Sequence, residues 1–75
     1  MRELRKVSGE ETIKVLQKLG FEVVRQRGSH VVLKKQTKEG EVGCVVPFHR
    51  ELKIGTLKGI LKQAKVSSGE FANHL

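Results

Sequence analysis

The chain has 75 residues, with 15 lysines and arginines against 8 acidic residues, and its formal net charge at pH 7 is +7. A chain of this length has room for one small core, so we expect a single domain over residues 1–75. No long apolar run follows the charged start of the chain, and there is a single cysteine. These features exclude an internal disulfide and predict a cytoplasmic protein without a signal peptide or a membrane-spanning helix.

The excess of positive charge indicates a polyanionic partner such as a nucleic acid, because phosphate contacts dominate nucleic-acid affinity. A surface that is merely well solvated would carry the same charge without any such partner. Binding to a membrane surface is the least favoured alternative, because the chain has no Trp or Tyr and only 3 Phe. We therefore expect no membrane partner.

The first predicted element is a helix from about residue 9 to about residue 19. Ser8 and Glu11 form a capping-box pattern, in which each side chain accepts a hydrogen bond from the other residue's backbone N–H. Gly20 is suited to the position just after the last helical turn. The face expected to be buried consists of Thr12, Ile13, Val15, Leu16 and Leu19.

Three strand-like runs follow the helix. They span residues 21–26, 30–36 and 41–47. The turns between them are short, which favours an antiparallel sheet in which consecutive strands are neighbours. Alternate residues of a strand share a face, so His30, Val32 and Lys34 are expected on one side of the second strand.

A second helix is predicted to begin at about Lys53 or Gly55. Its apolar stripe consists of Leu57, Ile60, Leu61 and Ala64. A basic row beside the stripe consists of Lys58, Lys62 and Lys65. This row either follows a phosphate backbone or is only the solvated face of the helix. Ser67 and Glu70 repeat the capping-box pattern, so residues 71–75 are predicted to form a short final helical turn.

The predicted fold is α+β, with the order α-β-β-β-α and a short C-terminal helical turn. A three-stranded antiparallel sheet needs one covered face, and two helices of these lengths can cover it. The other face would stay open to solvent. This is the layout of a double-stranded-RNA-binding domain (dsRBD).

Gly28, Ser29 and His30, at the start of the second strand, carry the strongest candidate chemistry. Glycine permits a sharp turn or a close approach to a ligand, and Ser29 offers a hydroxyl and an N–H to a phosphate. The imidazole of His30 can transfer a proton near neutral pH during attack on a phosphodiester. Arg27 and Lys34 could stabilise the charge that develops on the phosphate. From spacing alone, an ordinary turn with a surface histidine is the favoured interpretation, because Gly-Ser-His is a weak motif.

The other candidate residues point less clearly to chemistry. His49 lies in a basic loop after Pro47, where it could transfer a second proton or cap the following helix. His74 is expected to be a solvent-exposed residue at a helix end. Cys44 lies in an apolar strand and is more often a buried small hydrophobe than a nucleophile. The chain has no Asp and no P-loop or nucleophile elbow, so neither a metal site nor a cofactor is expected.

Several segments, taken in order, resemble the HicA-like (YcfA-like) family of toxins. They are LQKLGF (16–21), RQRGSH (25–30), VPFH (46–49), ELKIGTL (51–57) and ILKQA (60–64). Their order and spacing are more specific than any one of them. The resemblance implies a dsRBD-like fold, cleavage of mRNA and neutralisation by a HicB-like antitoxin. The chain departs from the family pattern at Lys65, where a glycine usually follows Ala64.

The resemblance also implies roles for particular residues. The family's catalytic histidine, within its Gly-Ser-His motif, falls on His30, and Gly28 and Ser29 match the two residues before it. The family's Pro-x-His segment falls on Pro47 and His49, which implies a supporting role for His49.

Three functions are open on the sequence. The first is a metal-independent endoribonuclease, in which the RNA 2′-hydroxyl is the nucleophile and His30 transfers the proton. The second is a non-catalytic RNA-binding module of the same fold, which would not need His30. The third is a module whose basic face only binds an acidic protein. The residues expected to bind RNA are Arg27, Gly28, Ser29, Lys34, His49, Lys58, Lys62 and Lys65.

Overall fold

The computed structural model describes residues 6–75, so residues 1–5, on which part of the expectation about a leader rests, lie outside it. Its elements are α1 (Gly9–Lys18), β1 (Glu22–Arg27), β2 (His30–Thr37), β3 (Gly40–Pro47), α2 (Ile54–Ala64) and α3 (Ser68–Asn73). The predicted α-β-β-β-α order is confirmed, and α3 begins at Ser68 rather than at Phe71. Within the described residues, no helix is long and apolar enough to cross a membrane.

Both ends of α1 are determined by local hydrogen bonds that the sequence predicts. The Ser8 hydroxyl accepts from Glu11 N at 3.0 Å, and Ser8 N donates to a Glu11 carboxylate oxygen at 3.0 Å. At the other end, Gly20 has a φ of 102°, which glycine adopts without strain. Phe21 N then donates to Leu16 O at 2.9 Å, which closes the helix and directs the chain into β1.

The sheet has the strand order β1-β2-β3, and both pairs are antiparallel. In the register of β2, His30 lies opposite Arg27 of β1 and opposite Pro47 of β3. An irregularity interrupts the β1–β2 pairing between Val23 and Arg25. The central strand therefore starts with a histidine that has a neighbour on either side.

The core lies between one face of the sheet and the helices. Alternate residues of β2 and β3, such as Leu33 and Cys44, are buried. The main cluster consists of Ile13, Leu16, Phe21, Val31, Leu33, Val42, Cys44, Val46, Leu52, Ile60 and Ala64. We call the opposite side of the sheet the open face. It carries Glu22, Arg25, Arg27, His30, Val32, Lys34, Gln36, Glu41, Gly43, Val45 and Pro47.

The C-terminal tail is part of the folded unit. The Ser67 hydroxyl accepts from Glu70 N at 3.0 Å and so caps α3, as the sequence predicts. Phe71 of α3 is fully buried. It belongs to a second cluster together with Val7, Val15, Leu57 and Leu61. Burying an aromatic side chain contributes roughly 1.5 to 3 kcal/mol, so α3 helps to hold α1 against α2.

The end of α2 corrects the expectation that Lys65 continues the basic row of Lys58 and Lys62. Lys65 has a φ of 58°, in the left-handed region, and its N–H donates to Lys62 O at 3.2 Å. Val66 N donates to Leu61 O at 3.0 Å, which completes a helix end of the type that glycine usually forms. Lys65 therefore lies beyond the helix and does not continue the row of Lys58 and Lys62.

Candidate functional site

His30 projects from the open face. The next residue along β2, Val31, is 3% exposed and points into the core, whereas His30 is exposed. Residues paired across an antiparallel sheet project to the same side. The Arg27 side chain on β1 and the Pro47 ring on β3 therefore flank the imidazole.

A second row of the open face lies beside the His30 row. In it Val32 is paired with Arg25 of β1 and with Val45 of β3. Val45 is 40% exposed, and Arg25 is exposed as well. Arg25 and Arg27 therefore form a positively charged edge along the sheet beside His30. Arg25 was not predicted as a site residue, although its spacing of two from Arg27 is the signal that would have found it.

The turn before β2 is open to an approaching ligand. Gly28 has a φ of 60°, and a Cβ added there would meet no atom within 4 Å. The Gln26 side-chain amide donates to Gly28 O at 3.2 Å, and this hydrogen bond stabilises the turn. The side of Gly28 on which a Cβ would lie is therefore open to a phosphate.

The loop that contains His49 lies beside this turn. Phe48 N donates to Ser29 O at 2.6 Å, which extends the β2–β3 pairing beyond Pro47. Residues 29 and 48 are far apart in the sequence, and the strand register alone brings them together. The structure thus places the two segments with candidate histidines next to each other.

The same loop is held from its other side by the first residue of α1 and by the segment before it. Gly9 N donates to His49 O at 2.8 Å, and Leu52 N donates to Val7 O at 2.7 Å. The side chain of His49 is exposed. It lines a shallow depression of about 210 Å³ together with Ser8, Glu10, Phe48 and Arg50. The N-cap of α2 is Lys53 and makes no side-chain cap hydrogen bond, so the predicted alternative that His49 caps this helix is wrong.

Lys34 lies on the open face as predicted, but away from His30. At about 3.3 Å per residue, the Cα atoms of the two residues are about 13 Å apart along β2. Lys34 Nζ also makes an ion pair with a Glu41 carboxylate oxygen at 3.3 Å. Lys34 is therefore not in position to contact a phosphate held by His30.

The lysines of α2 lie in a different layer of the molecule. Leu57 and Leu61 of this helix are buried in the core, and Lys58 and Lys62 are exposed. The helix packs against the face of the sheet opposite His30. The sequence predicted these lysines and the His30 turn as one RNA-binding set, whereas the fold places them on two layers.

Two further candidates lie outside the site. His74 is half-buried rather than fully exposed, and its Nδ1 lies 2.9 Å from Glu70 O on α3. Cys44 is 3% exposed, and burial raises the pKa of its thiol to about 11, so the thiol stays protonated at neutral pH. Cys44 is thus the predicted small hydrophobe. Among residues 6–75, no group of three or more His, Cys, Asp or Glu residues is arranged to hold a metal ion.

Comparison with known families gives one match. The model of the family described as HicA toxin of bacterial toxin-antitoxin matches residues 9–66, which include the His30 turn, the His49 loop and α2. The comparison with curated proteins found no match.

Proposed function

This chain belongs to the HicA toxin family of bacterial toxin–antitoxin systems, and we propose that its toxic activity is endoribonucleolytic cleavage of mRNA. Membership of such a family implies an antitoxin partner. The observation that carries the proposal is the position of His30, exposed on the open face and directly opposite Arg27.

The reaction requires two proton transfers. The 2′-hydroxyl of one nucleotide attacks the adjacent phosphorus, and the bond from phosphorus to the 5′-oxygen of the next nucleotide breaks. One proton must leave the attacking hydroxyl, and another must reach the departing oxygen. In our proposal His30 performs one of these transfers, because an imidazole nitrogen can accept a proton or donate one. The products are a 2′,3′-cyclic phosphate and a free 5′-hydroxyl, and no cofactor takes part.

The residues around His30 would hold the reacting phosphate. Arg27 offers five N–H donors in a fixed planar array, which suits the negative charge that grows on the phosphoryl oxygens. Ser29 and the backbone of the open turn at Gly28 can donate further hydrogen bonds. His49, on the neighbouring loop, is the proposed partner for the second proton transfer.

The path of the RNA follows from the distribution of charge. Arg25 and Arg27 would bind the phosphates next to the cleaved bond, because they share the open face with His30. Lys58 and Lys62 could contact only a strand long enough to bend around the sheet to the helical layer. Lys34 would contribute less than the arginines, because it lies four residues along β2 from His30 and its Nζ is paired with Glu41 at 3.3 Å. We therefore assign the primary contacts to the two arginines of β1.

The proposed antitoxin is a HicB-like protein that covers the open face. The charge of this chain is +7, so an acidic patch on the partner would speed association and fix its orientation. Such a patch would also compete with RNA for Arg25 and Arg27. Co-expression with the adjacent open reading frame should give a complex in which RNA cleavage is suppressed.

The main alternative is a non-catalytic RNA-binding module. Product analysis separates the two functions. Wild-type protein is incubated in EDTA with an end-labelled RNA strand and, as the matched control, with the same strand carrying one 2′-deoxy nucleotide at the cleaved position. We expect fragments ending in 2′,3′-cyclic phosphate from the first strand and no cut at that position in the second. Binding without any cleavage would support the module instead.

A further inference from the structure

Phe48 is an apolar residue that the fold leaves exposed. Phe48 is 49% exposed, although it is one of only 3 Phe in a chain without Trp or Tyr. Phe21 and Phe71 are both buried. Phe48 is therefore the one Phe whose ring is available to a partner.

The backbone around Phe48 is fixed in spite of this exposure. Its own N–H is bonded to Ser29 O at 2.6 Å, and the next residue, His49, accepts from Gly9 N at 2.8 Å. The ring is thus presented from a loop held on both sides. Because the backbone is already fixed, only the two side-chain torsions of Phe48 would lose freedom when a ligand packs on the ring.

The backbone of Phe48 is next to the proposed site of cleavage, and its ring lines the shallow depression between that site and the start of α1. Its hydrogen-bond partner, Ser29, immediately precedes His30, and the preceding residue, Pro47, is paired with His30 across the sheet. Its neighbours in the shallow depression include His49 and Arg50. Glu10 also lines this depression, and its carboxylate is paired with Lys14 Nζ at 3.8 Å.

We propose that Phe48 is a stacking platform for an unpaired nucleobase that flanks the phosphate held at His30. This inference rests on the proposed function and names the substrate class as single-stranded RNA. Aromatic side chains stack on unpaired bases of any sequence, and cationic neighbours follow the backbone. A base within a duplex has no free face to offer. The strand would therefore be cleaved where it is unpaired.

The surroundings of Phe48 favour a nucleobase over an apolar protein side chain. Apart from the ring, the depression is lined by Ser8, Glu10, His49 and Arg50, which are polar or charged. The other exposed large hydrophobic residues, such as Val24 and Leu75, do not line it. A protein interface has a broader apolar centre than one ring. One planar base needs only a ring of similar size with polar groups at its rim.

Fluorescence can test the inference directly, because the chain has no Trp or Tyr. Phe48→Trp introduces a single reporter, and the probe is a short single strand with 2′-O-methyl groups, which cannot be cleaved. We expect this strand to quench the emission of the introduced tryptophan. An abasic strand of the same length, or polyphosphate, should quench that emission much less. Leu75→Trp is the matched control, since Leu75 is 38% exposed but lies beside α1 residues such as Lys14. Its emission should not change.

Affinity for the same probe gives the second readout. Phe48→Ala and Phe48→Leu should both weaken binding of the single strand by about five- to 150-fold, whereas Phe48→Trp should keep it. The salt dependence should not change, because no charge is removed. Equal affinity of wild-type and Phe48→Ala protein, or quenching by a co-purified antitoxin but not by RNA, would overturn the inference. Wild-type protein that binds the probe through Phe48 but cleaves no RNA would instead contradict the proposed function alone.

Discussion

The backbone N–H of Gly9 donates to the carbonyl oxygen of His49 at 2.8 Å, and this contact joins the start of α1 to the loop beside the His30 turn. The approach is so close that a Cβ at position 9 would overlap the Pro47 carbonyl oxygen and lie 3.1 Å from His49 N. Backbone atoms cannot move away as a flexible side chain can. The absence of a side chain at Gly9 is therefore a condition for the geometry of the site.

Gly9→Ala should lower the free energy of unfolding by about 1 to 3 kcal/mol, as overpacking usually does. It should also lower RNA cleavage, because the loop that carries Phe48 and His49 must shift. Chemical denaturation and a cleavage assay on the same samples measure both effects. The matched control is Gly59→Ala in the interior of α2, where an added Cβ meets nothing within 4 Å. That change should raise stability by up to about 1 kcal/mol, and equal effects of the two substitutions would contradict this account.

Lys65→Gly should stabilise the protein. Lys65 has a φ of 58°, a conformation that costs a residue with a Cβ roughly 1 kcal/mol and costs glycine almost nothing. We expect a gain of about 0.5 to 1 kcal/mol in the free energy of unfolding and no change in RNA cleavage. Thermal unfolding measures the gain. If Lys65→Gly were less stable than Lys65→Ala, the left-handed assignment would be wrong.

Much of the fold follows from local sequence signals. The Ser8–Glu11 pair predicts the start of α1, and alternation along β2 predicts that His30 and Val31 lie on opposite faces. These signals act over a few residues, so they predict helix ends and strand faces without knowledge of the tertiary structure. The tail was predicted only in outline, because the burial of Phe71 depends on α1 and α2.

The spatial arrangement of the candidate residues follows from the sequence only in part, and their functional roles stay predictions. The Gly28–His30 turn is a continuous segment, and the resemblance to a family identified it directly. The contact of Phe48 with Ser29 depends on the β2–β3 register, and the pairing of Lys34 with Glu41 depends on side chains of two strands. The separation of Lys62 from His30 depends on which face of the sheet α2 covers. Such relationships are set by tertiary packing, and the spacing of residues along the sequence does not predict them.

Binding of single-stranded RNA should depend on salt mainly through the arginines of β1. Arg25→Ala should shallow the slope of log affinity against log salt concentration by about 0.7 for each phosphate contact that is lost. Lys34→Ala is the matched control, because Lys34 is already paired with Glu41 at 3.3 Å. Titrations of a short strand at several salt concentrations give both slopes. Similar slopes for the two variants would exclude Arg25 from the RNA path. If only Lys62→Ala made the slope shallower, the RNA path would lie on the helical layer instead.

The thiol of Cys44 should be unreactive in the folded protein. Burial raises its pKa from 9.0 to about 11, so at pH 8 the reactive thiolate is scarce and the sulfur is also inaccessible. Between pH 9 and 11 the unfolded chain loses this proton and the folded chain keeps it. Unfolding then releases a proton, so this group lowers stability as the pH rises through that window. Alkylation with iodoacetamide at pH 8 should be slow until denaturant is added, and rapid labelling of native protein would contradict the burial.

The single-turnover cleavage rate of His30→Ala tests the central claim most directly. General acid–base catalysis contributes about 100- to 10,000-fold, so we expect the rate to fall by at least about 100-fold while the affinity for the uncleavable strand stays close to that of wild type. His74→Ala is the matched control, since His74 lies on the helical layer against Glu70, and its rate should equal that of wild type. Folded His30→Ala protein that cleaves RNA at the wild-type rate would contradict the account and leave His49 as the next candidate.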